Sequence, residues 1–209
     1  MKKPTRSAIP RQTIYRLSTY LRCLARLKQN SIRTVSSEAL AKAAGVKSTQ
    51  LRKDLTCFGQ FGTRGLGYDV EQLSRLVSDL LGTNSTSRLC SSASATSVSR
   101  SLSYRGFEQG FEVIAGFDSD LQRKRNKQVR QPLYPMDKLP EVIRDRAVRL
   151  AVLTVPPSEA QEVARRLVEC GITGILNFAP VVLEVPEEVM VNNVNLAIEL
   201  EHLCYFVQQ

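Results

Sequence analysis

The sequence predicts an α/β chain in two unequal parts. A small helical part comes first, then strands and helices in alternation, then one last helix. Three observations predict this. Residues 47–68, KSTQLRKDLTCFGQFGTRGLGY, run a short basic helix into four glycines set around Arg64. From residue 111 onward, continuous apolar strands alternate with amphipathic helices, the pattern of a parallel sheet covered on both faces. Charge divides the same way: residues 1–82 hold 15 Lys/Arg against 5 Asp/Glu, and residues 83–209 hold 14 against 15. The excess of this +9 chain therefore lies in the first part, as expected if only that part meets a polyanion.

Helix 1 is expected after Pro10. Ile14, Leu17, Leu21 and Leu24 recur at helical spacing, and Arg16, Arg22 and Arg26 leave that stripe for solvent. Thr34 to Ser37 offer N-cap residues for EALAKAAG, and Gly45 ends that helix as a left-handed C-cap. Ser48 or Thr49 is expected to cap the next helix, with Leu51 and Leu55 facing inward. Two short helices around a glycine-containing turn make a helix-turn-helix, spanning Tyr20 to Gly59. The glycine-rich stretch after it reads as a hairpin wing with Arg64 at its tip. YDVEQLSRLVSDLLG, with Val70, Leu73, Val77 and Leu80, closes this winged-helix domain as a fourth helix.

In the second part, FEVIAGFD is a strand ending in Asp118, LPEVIRDRAV a helix and RLAVLTVP a buried strand. Ser158 is expected to cap SEAQEVARRLVEC, Gly171 to end it, and ITGILNFAP to be another strand. The order describes a Rossmann-like domain. The closing helix, NVNLAIELEHLCYFVQQ, carries Leu196, Leu200, Leu203 and Val207 on one side. It is either packed on its own sheet or a dimer seam, exchanged between subunits or not. The expected domains are 1–82, 83–192 and 193–209.

The five cysteines are dispersed with no CxxC pair, which argues against a disulfide framework or a zinc site and leaves most as small core residues. No apolar run approaches the roughly 18–20 residues of a membrane span. A cytoplasmic protein with no metal and no membrane partner is the expectation.

The candidate DNA reader is Lys47, Ser48, Thr49, Gln50, Arg52 and Lys53 on the basic helix, with Arg22 on helix 1 and Arg64 on the wing. Gln can bond adenine edges, and Arg or Lys can bond guanine edges or phosphate. An arginine on a narrow loop suits the negative potential of an A·T-rich minor groove. A dimer of such readers predicts a palindromic operator.

Together, IPRQTIYRLSTYLR, SSEALAKAAGV, QLRKDLTCFGQFGTRGLGY, YRGFEQGFEVIAGFD, LNFAPVVLEVP and the NVNL helix resemble the redox-sensing transcriptional repressor Rex. The likeness covers nearly the whole chain. It implies a homodimer in which each subunit joins a winged helix to a Rossmann domain that senses the NADH/NAD⁺ ratio, NADH releasing the repressor from DNA. It also implies DNA-contact roles for Arg22, Lys53 and Arg64, and places Tyr104 beside the nicotinamide.

One segment departs. A dinucleotide-binding domain needs a strand and a GxGxxG turn before FEVIAGFD, yet residues 84–103 read NSTSRLCSSASATSVSRSLS, without glycine and with hardly a strand. Read from its second base, CTC GTC GGC GTC GGC AAC CTC GGT, which encodes the family-like LVGVGNLG, gives SSASATSV, the residues from Ser91 to Val98. A local frameshift with a compensating shift downstream is the expectation. On that alignment the displaced turn is Ala93, Ser94, Ala95, Thr96, Ser97 and Val98, with Ala93, Ala95 and Val98 at the glycine positions. Asp118 then lies 20 residues beyond Val98, the spacing of the acid that bonds the adenosine ribose. Cofactor binding through the residues as they stand is expected to be poor. Asn195 is a smaller departure, since related sequences tend to carry an acid there.

Two other functions fit the sequence less well. A dehydrogenase needs a positioned acid or base, and the single histidine, His202, falls late in the last helix, so no enzyme is expected. The second domain also looks similar to the CoA-binding domains of acyl-CoA ligases, so a CoA-type effector stands as the alternative to NAD(H). The basic loop RKRNKQVRQ, residues 123–131, reads as a solvated turn.

Overall fold

The structure, a computed structural model, describes residues 9–59, 61–62, 66–84, 86–93, 110–118 and 131–207. Arg64, Ser94, Ala95, Thr96, Ser97, Val98 and Tyr104 lie outside these, as does most of the 123–131 loop. The chain divides into two compact units, Met1–Ser85 and Thr86–Gln209.

In the first unit, α1 (Arg11–Gln29), α2 (Ser37–Ala43), α3 (Ser48–Thr56) and α4 (Val70–Leu81) surround one core. Leu17, Tyr20 and Leu24 of α1 meet Leu40, Leu51, Leu55, Val70, Leu73 and Val77 there. The buried stripe of α1 runs through Thr13, Leu17, Tyr20 and Leu24, with Leu21 half-buried and Ile14 exposed. The expected stripe was therefore displaced by one position at its start. Ser36 caps α2 by accepting from the Ala39 N–H at 3.0 Å, and Gly45 takes the left-handed conformation beyond it (φ 68°). Asp69 caps α4 in the same way, through the Gln72 N–H at 2.8 Å. The expected caps of α3 and of the helix at 157 are corrected. Lys47 and Pro156 occupy those positions without a side-chain bond, and the helices begin at Ser48 and Pro157. Pro157 favours the first helical position because its missing N–H has no partner there anyway.

Two short strands, β1 (Thr34–Val35) and β2 (Tyr68–Asp69), pair antiparallel across the base of the glycine-rich loop. Gly67 (φ 84°) lies against this pair so closely that a Cβ would fall on the Val35 carbonyl oxygen. Gly62 (φ 87°) faces Gly67 across the loop, with 2.8 Å from its would-be Cβ to the Gly67 oxygen. Gly62 and Gly67 thus lie side by side at the base of the loop, and the tip expected to carry the wing hairpin lies outside the described residues.

The second unit carries β3 (Ser87–Ala93), β4 (Phe111–Asp118), β5 (Leu133–Pro135), β6 (Leu150–Thr154), β7 (Gly174–Asn177) and β8 (Met190–Asn193). They form one parallel sheet in the order β5-β4-β3-β6-β7-β8. Counted from its own first strand this is the order 3-2-1-4-5-6 of doubly wound dinucleotide-binding sheets. Helices α5 (Leu139–Asp145) and α6 (Pro157–Glu169) cover it, and the core holds Phe117, Leu139, Leu153, Ala164, Leu167 and Ile172. The segment that read as hardly a strand is the central one. Parallel neighbours on both sides supply its ladder, whatever its side chains.

The last helix, α7 (Leu196–Val207), has no buried residue, and Leu196, Ile198, Leu200, Leu203, Tyr205 and Phe206 are all exposed. Asn195 begins it, its Oδ1 accepting from the Ala197 N–H at 3.0 Å. The cysteine expectation holds for Cys90 alone in full. Cys23 and Cys170 are half-buried, and Cys57 and Cys204 are exposed.

Candidate functional site

The outer surface of α3 is built by exclusion. Leu51 and Leu55 enter the core, and Lys47, Thr49, Arg52 and Lys53 are left exposed, with Ser48 and Gln50 half-buried. Arg52 donates from Nη2 to Ser48 Oγ at 3.4 Å. Arg22 is exposed on α1. The buried Tyr68 hydroxyl is pushed above its ordinary pKa by burial, partly offset by the Arg52 charge, so α3 and the base of the wing lie within electrostatic reach.

Two α3 side chains do not fit the simple picture. Asp54 is buried at 2% exposure and accepts from Arg16 Nε at 2.6 Å, Arg16 Nη2 at 2.8 Å and the Tyr20 hydroxyl at 2.8 Å. Gln50 also donates to it, at 2.9 Å. Arg16 is therefore not the solvent-facing charge that helical spacing suggested. Burial alone would raise the Asp54 pKa, but the donors and the Arg16 charge outweigh it and hold the carboxyl below its usual value. Desolvation and the bond to Asp54 push the Tyr20 hydroxyl well above its own. Sequence reasoning missed this cluster. The only signal was an acid between two leucines of an otherwise basic helix.

In the second unit, the carboxyl ends of the strands form the edge where doubly wound sheets bind ligands. Ala93 and Thr154 pair in register at the ends of β3 and β6, the two strands flanking the switch point, and Asp118 ends the adjacent β4 with 3% exposure. The frame thus fits a dinucleotide: β3 ends at Ala93, where the sequence places the turn, and an acid stands at the end of the next strand. The residues leading into the turn fit less well. Ser91 and Ser92 are buried at 0% and 1%, and the Ser91 hydroxyl has no partner among the described residues. The β3–β4 ladder also slips between Leu89 and Cys90. Further along the same edge, fully buried Asn177 donates to the Val181 oxygen and to Asn193 Oδ1, both at 2.9 Å, and accepts from the Ala179 N–H. It pins the NFAPVV loop, a role its sequence context did not disclose. Among the described residues no cluster of His, Cys, Asp or Glu could hold a metal, and no helix is long and apolar enough to cross a membrane. His202 is exposed on α7, in edge contact with Phe206.

A basic reader helix beside a paired wing base, joined in one chain to a dinucleotide-order sheet, defines the class of nucleotide-responsive DNA-binding regulators. Family models agree in both halves. Residues 8–56 match the putative DNA-binding protein N-terminus, and residues 102–181 match the CoA binding domain. The redox-sensing transcriptional repressor Rex of Carboxydothermus hydrogenoformans is 44% identical over 96% of this chain and 97% of its own. That of Streptomyces coelicolor is 43% identical over 98% of this chain and 80% of its own. The crystal structure of RSP in complex with β-NAD⁺ and operator DNA superposes with a TM-score of 0.86, at 30% identity over 95% of this chain and 92% of that one. RSP in complex with β-NADH gives 0.82, at 30% identity over 96% and 94%. The chain belongs to the Rex family of redox-sensing transcriptional repressors.

Proposed function

We propose that this protein is a homodimeric repressor that binds a palindromic operator and leaves it as the NADH/NAD⁺ ratio rises. The observation that carries the reading is the pairing, in one chain, of an exposed basic recognition helix with a 3-2-1-4-5-6 parallel sheet. Lys47, Ser48, Thr49, Gln50, Arg52 and Lys53 supply the major-groove face, with Arg22 and Arg64 as further DNA contacts. NAD(H) is assigned to the turn from Ala93 to Val98, to Asp118 on the adenosine ribose and to Tyr104 near the nicotinamide, with the binding weakened by the residues as they stand in the turn. The bound dinucleotide supplies a signal rather than a reaction: its nicotinamide is cationic when oxidised and neutral when reduced. An apolar pocket favours the neutral form because burying an unpaired charge is costly. A ligand moves an equilibrium only by its difference in affinity for two states, so NADH must favour the dimer arrangement that does not match the operator. The exposed apolar surface of α7 supports its role as the dimer seam. The protein acts as a regulator and not as an enzyme.

The turn from Ala93 to Val98 lacks the glycines that let backbone approach a pyrophosphate. A compensated frameshift in the coding sequence accounts for both this and the buried serines of β3. Undoing it restores Leu and Val at positions 91 and 92, and Gly at position 93 where the strand ends.

The test titrates a fluorescent operator complex with NADH, NAD⁺ and CoA. Release by NADH at concentrations where NAD⁺ has no effect is the expected result. Equal responses to both forms refute redox sensing. Release by CoA alone establishes the second reading, which the CoA binding domain match over residues 102–181 favours.

A further inference from the structure

The Asp54 cluster bears on how the operator is read, and the inference rests on the operator-binding function proposed above. Gln50 lies one turn before Asp54 on α3 and donates from Nε2 to Asp54 Oδ1 at 2.9 Å. The carboxylate is fixed by α1, through both nitrogens of the Arg16 fork and the Tyr20 hydroxyl. An ionised carboxylate accepts and never donates. The Gln50 carboxamide must therefore turn its nitrogen toward Asp54 and its oxygen away from it. Of the two flips open to a glutamine, only one is compatible with this neighbour.

We propose that Asp54 is a positioning residue that holds Gln50 with Oε1 leading at the reading surface, so that Gln50 selects adenine, and cytosine second. Adenine N6 and cytosine N4 are major-groove donors, which meet an outward oxygen favourably. Guanine O6 and thymine O4 are acceptors and oppose it. The second N–H of Gln50 remains for adenine N7, which places adenine first. A glutamine without a fixed carboxylate neighbour rotates, and can face either kind of base. The buried network thus turns an adaptable side chain into a selective one.

The experiment selects binding sites from a randomised duplex pool with the full-length protein as wild type, Gln50→Met and Asp54→Asn. Wild type is expected to enrich adenine at one position in each half-site. Gln50→Met keeps the Arg16 and Tyr20 bonds to Asp54, and should lose about tenfold discrimination at that position alone. Asp54→Asn, if folded by circular dichroism, should weaken the same position. Amide exchange of Gln50 in the free wild type gives a readout independent of how Asp54→Asn folds. Its side-chain NH₂, assigned by its loss in Gln50→Met, should be protected. A Gln50→Met profile identical to wild type, or an unprotected Gln50 amide, overturns the proposal. A wild type that enriches no sequence instead overturns the operator-binding reading itself, and this inference with it.

Discussion

The Arg16 guanidinium grips the buried Asp54 carboxylate with both Nε and Nη2, at 2.6 and 2.8 Å, and so joins α1 to the basic helix α3. Breaking such a pair from one side leaves a buried charge with fewer donors. Arg16→Met should cost about 3 kcal/mol in urea unfolding. Asp54 is held below its ordinary pKa, so its stabilisation is complete above the unfolded value of about 3.9 and is lost as pH falls through the lower folded value. Comparing wild type with Arg16→Met at pH 7 and near pH 3 should show the difference shrinking in acid. A difference independent of pH would remove the ion pair as its source.

Lys53 is exposed in the last turn of α3 and is expected to meet phosphate or a guanine edge. Lys53→Ala should weaken operator binding and flatten the plot of log affinity against log salt by about 1 per subunit. An unchanged salt slope in fluorescence anisotropy would exclude a phosphate contact.

Gly67 and Gly82 both have left-handed backbones, but only Gly67 abuts another strand. Gly67→Ala should cost about 3 kcal/mol, because it adds a collision with β1 to an unfavourable φ. Gly82→Ala meets open space and should cost about 1 kcal/mol. Thermal unfolding of the two variants separates the terms, and equal shifts would mean that β1 gives way.

The buried serines of β3 make a prediction of opposite sign. Ser91→Leu with Ser92→Val removes an unpartnered hydroxyl and fills the central strand with apolar surface. A gain of about 1–3 kcal/mol is expected in the urea midpoint. Adding glycine at positions 93, 95 and 98 should tighten NADH binding by calorimetry. Resequencing codons 84–103 tests the frameshift directly, and a confirmed in-frame SSASATSV with no gain from either substitution set would dispose of it.

Leu203 stands 59% exposed in the middle of α7, among other uncovered apolar residues. Leu203→Glu should shift the protein from dimer to monomer in light scattering and lower operator affinity, since a monomer holds a single half-site. A dimer that persists would place the seam elsewhere.

Much of this protein is legible from local pattern. The bounds of β4 coincide with FEVIAGFD, α4 buries Val70, Leu73 and Val77 of its expected stripe, and Gly59, Gly62 and Gly67 take the positive backbone angles that favour glycine. Short elements such as β1, β2, β5 and β8 escaped, since two to four residues carry too little periodicity to be told from loop.

By itself, the sequence determined the two-part organisation, the basic face of α3 and the acid at the end of β4, because each depends on residue type and near-neighbour spacing. The tertiary structure decided that Ser87–Ala93 is the central strand, that Arg16 turns inward, and that Gln50 is held from behind. The physical reason is common to all three. A strand is made by its neighbours' hydrogen bonds, and a buried charge by partners 34 to 41 residues away, so neither is written in the local pattern.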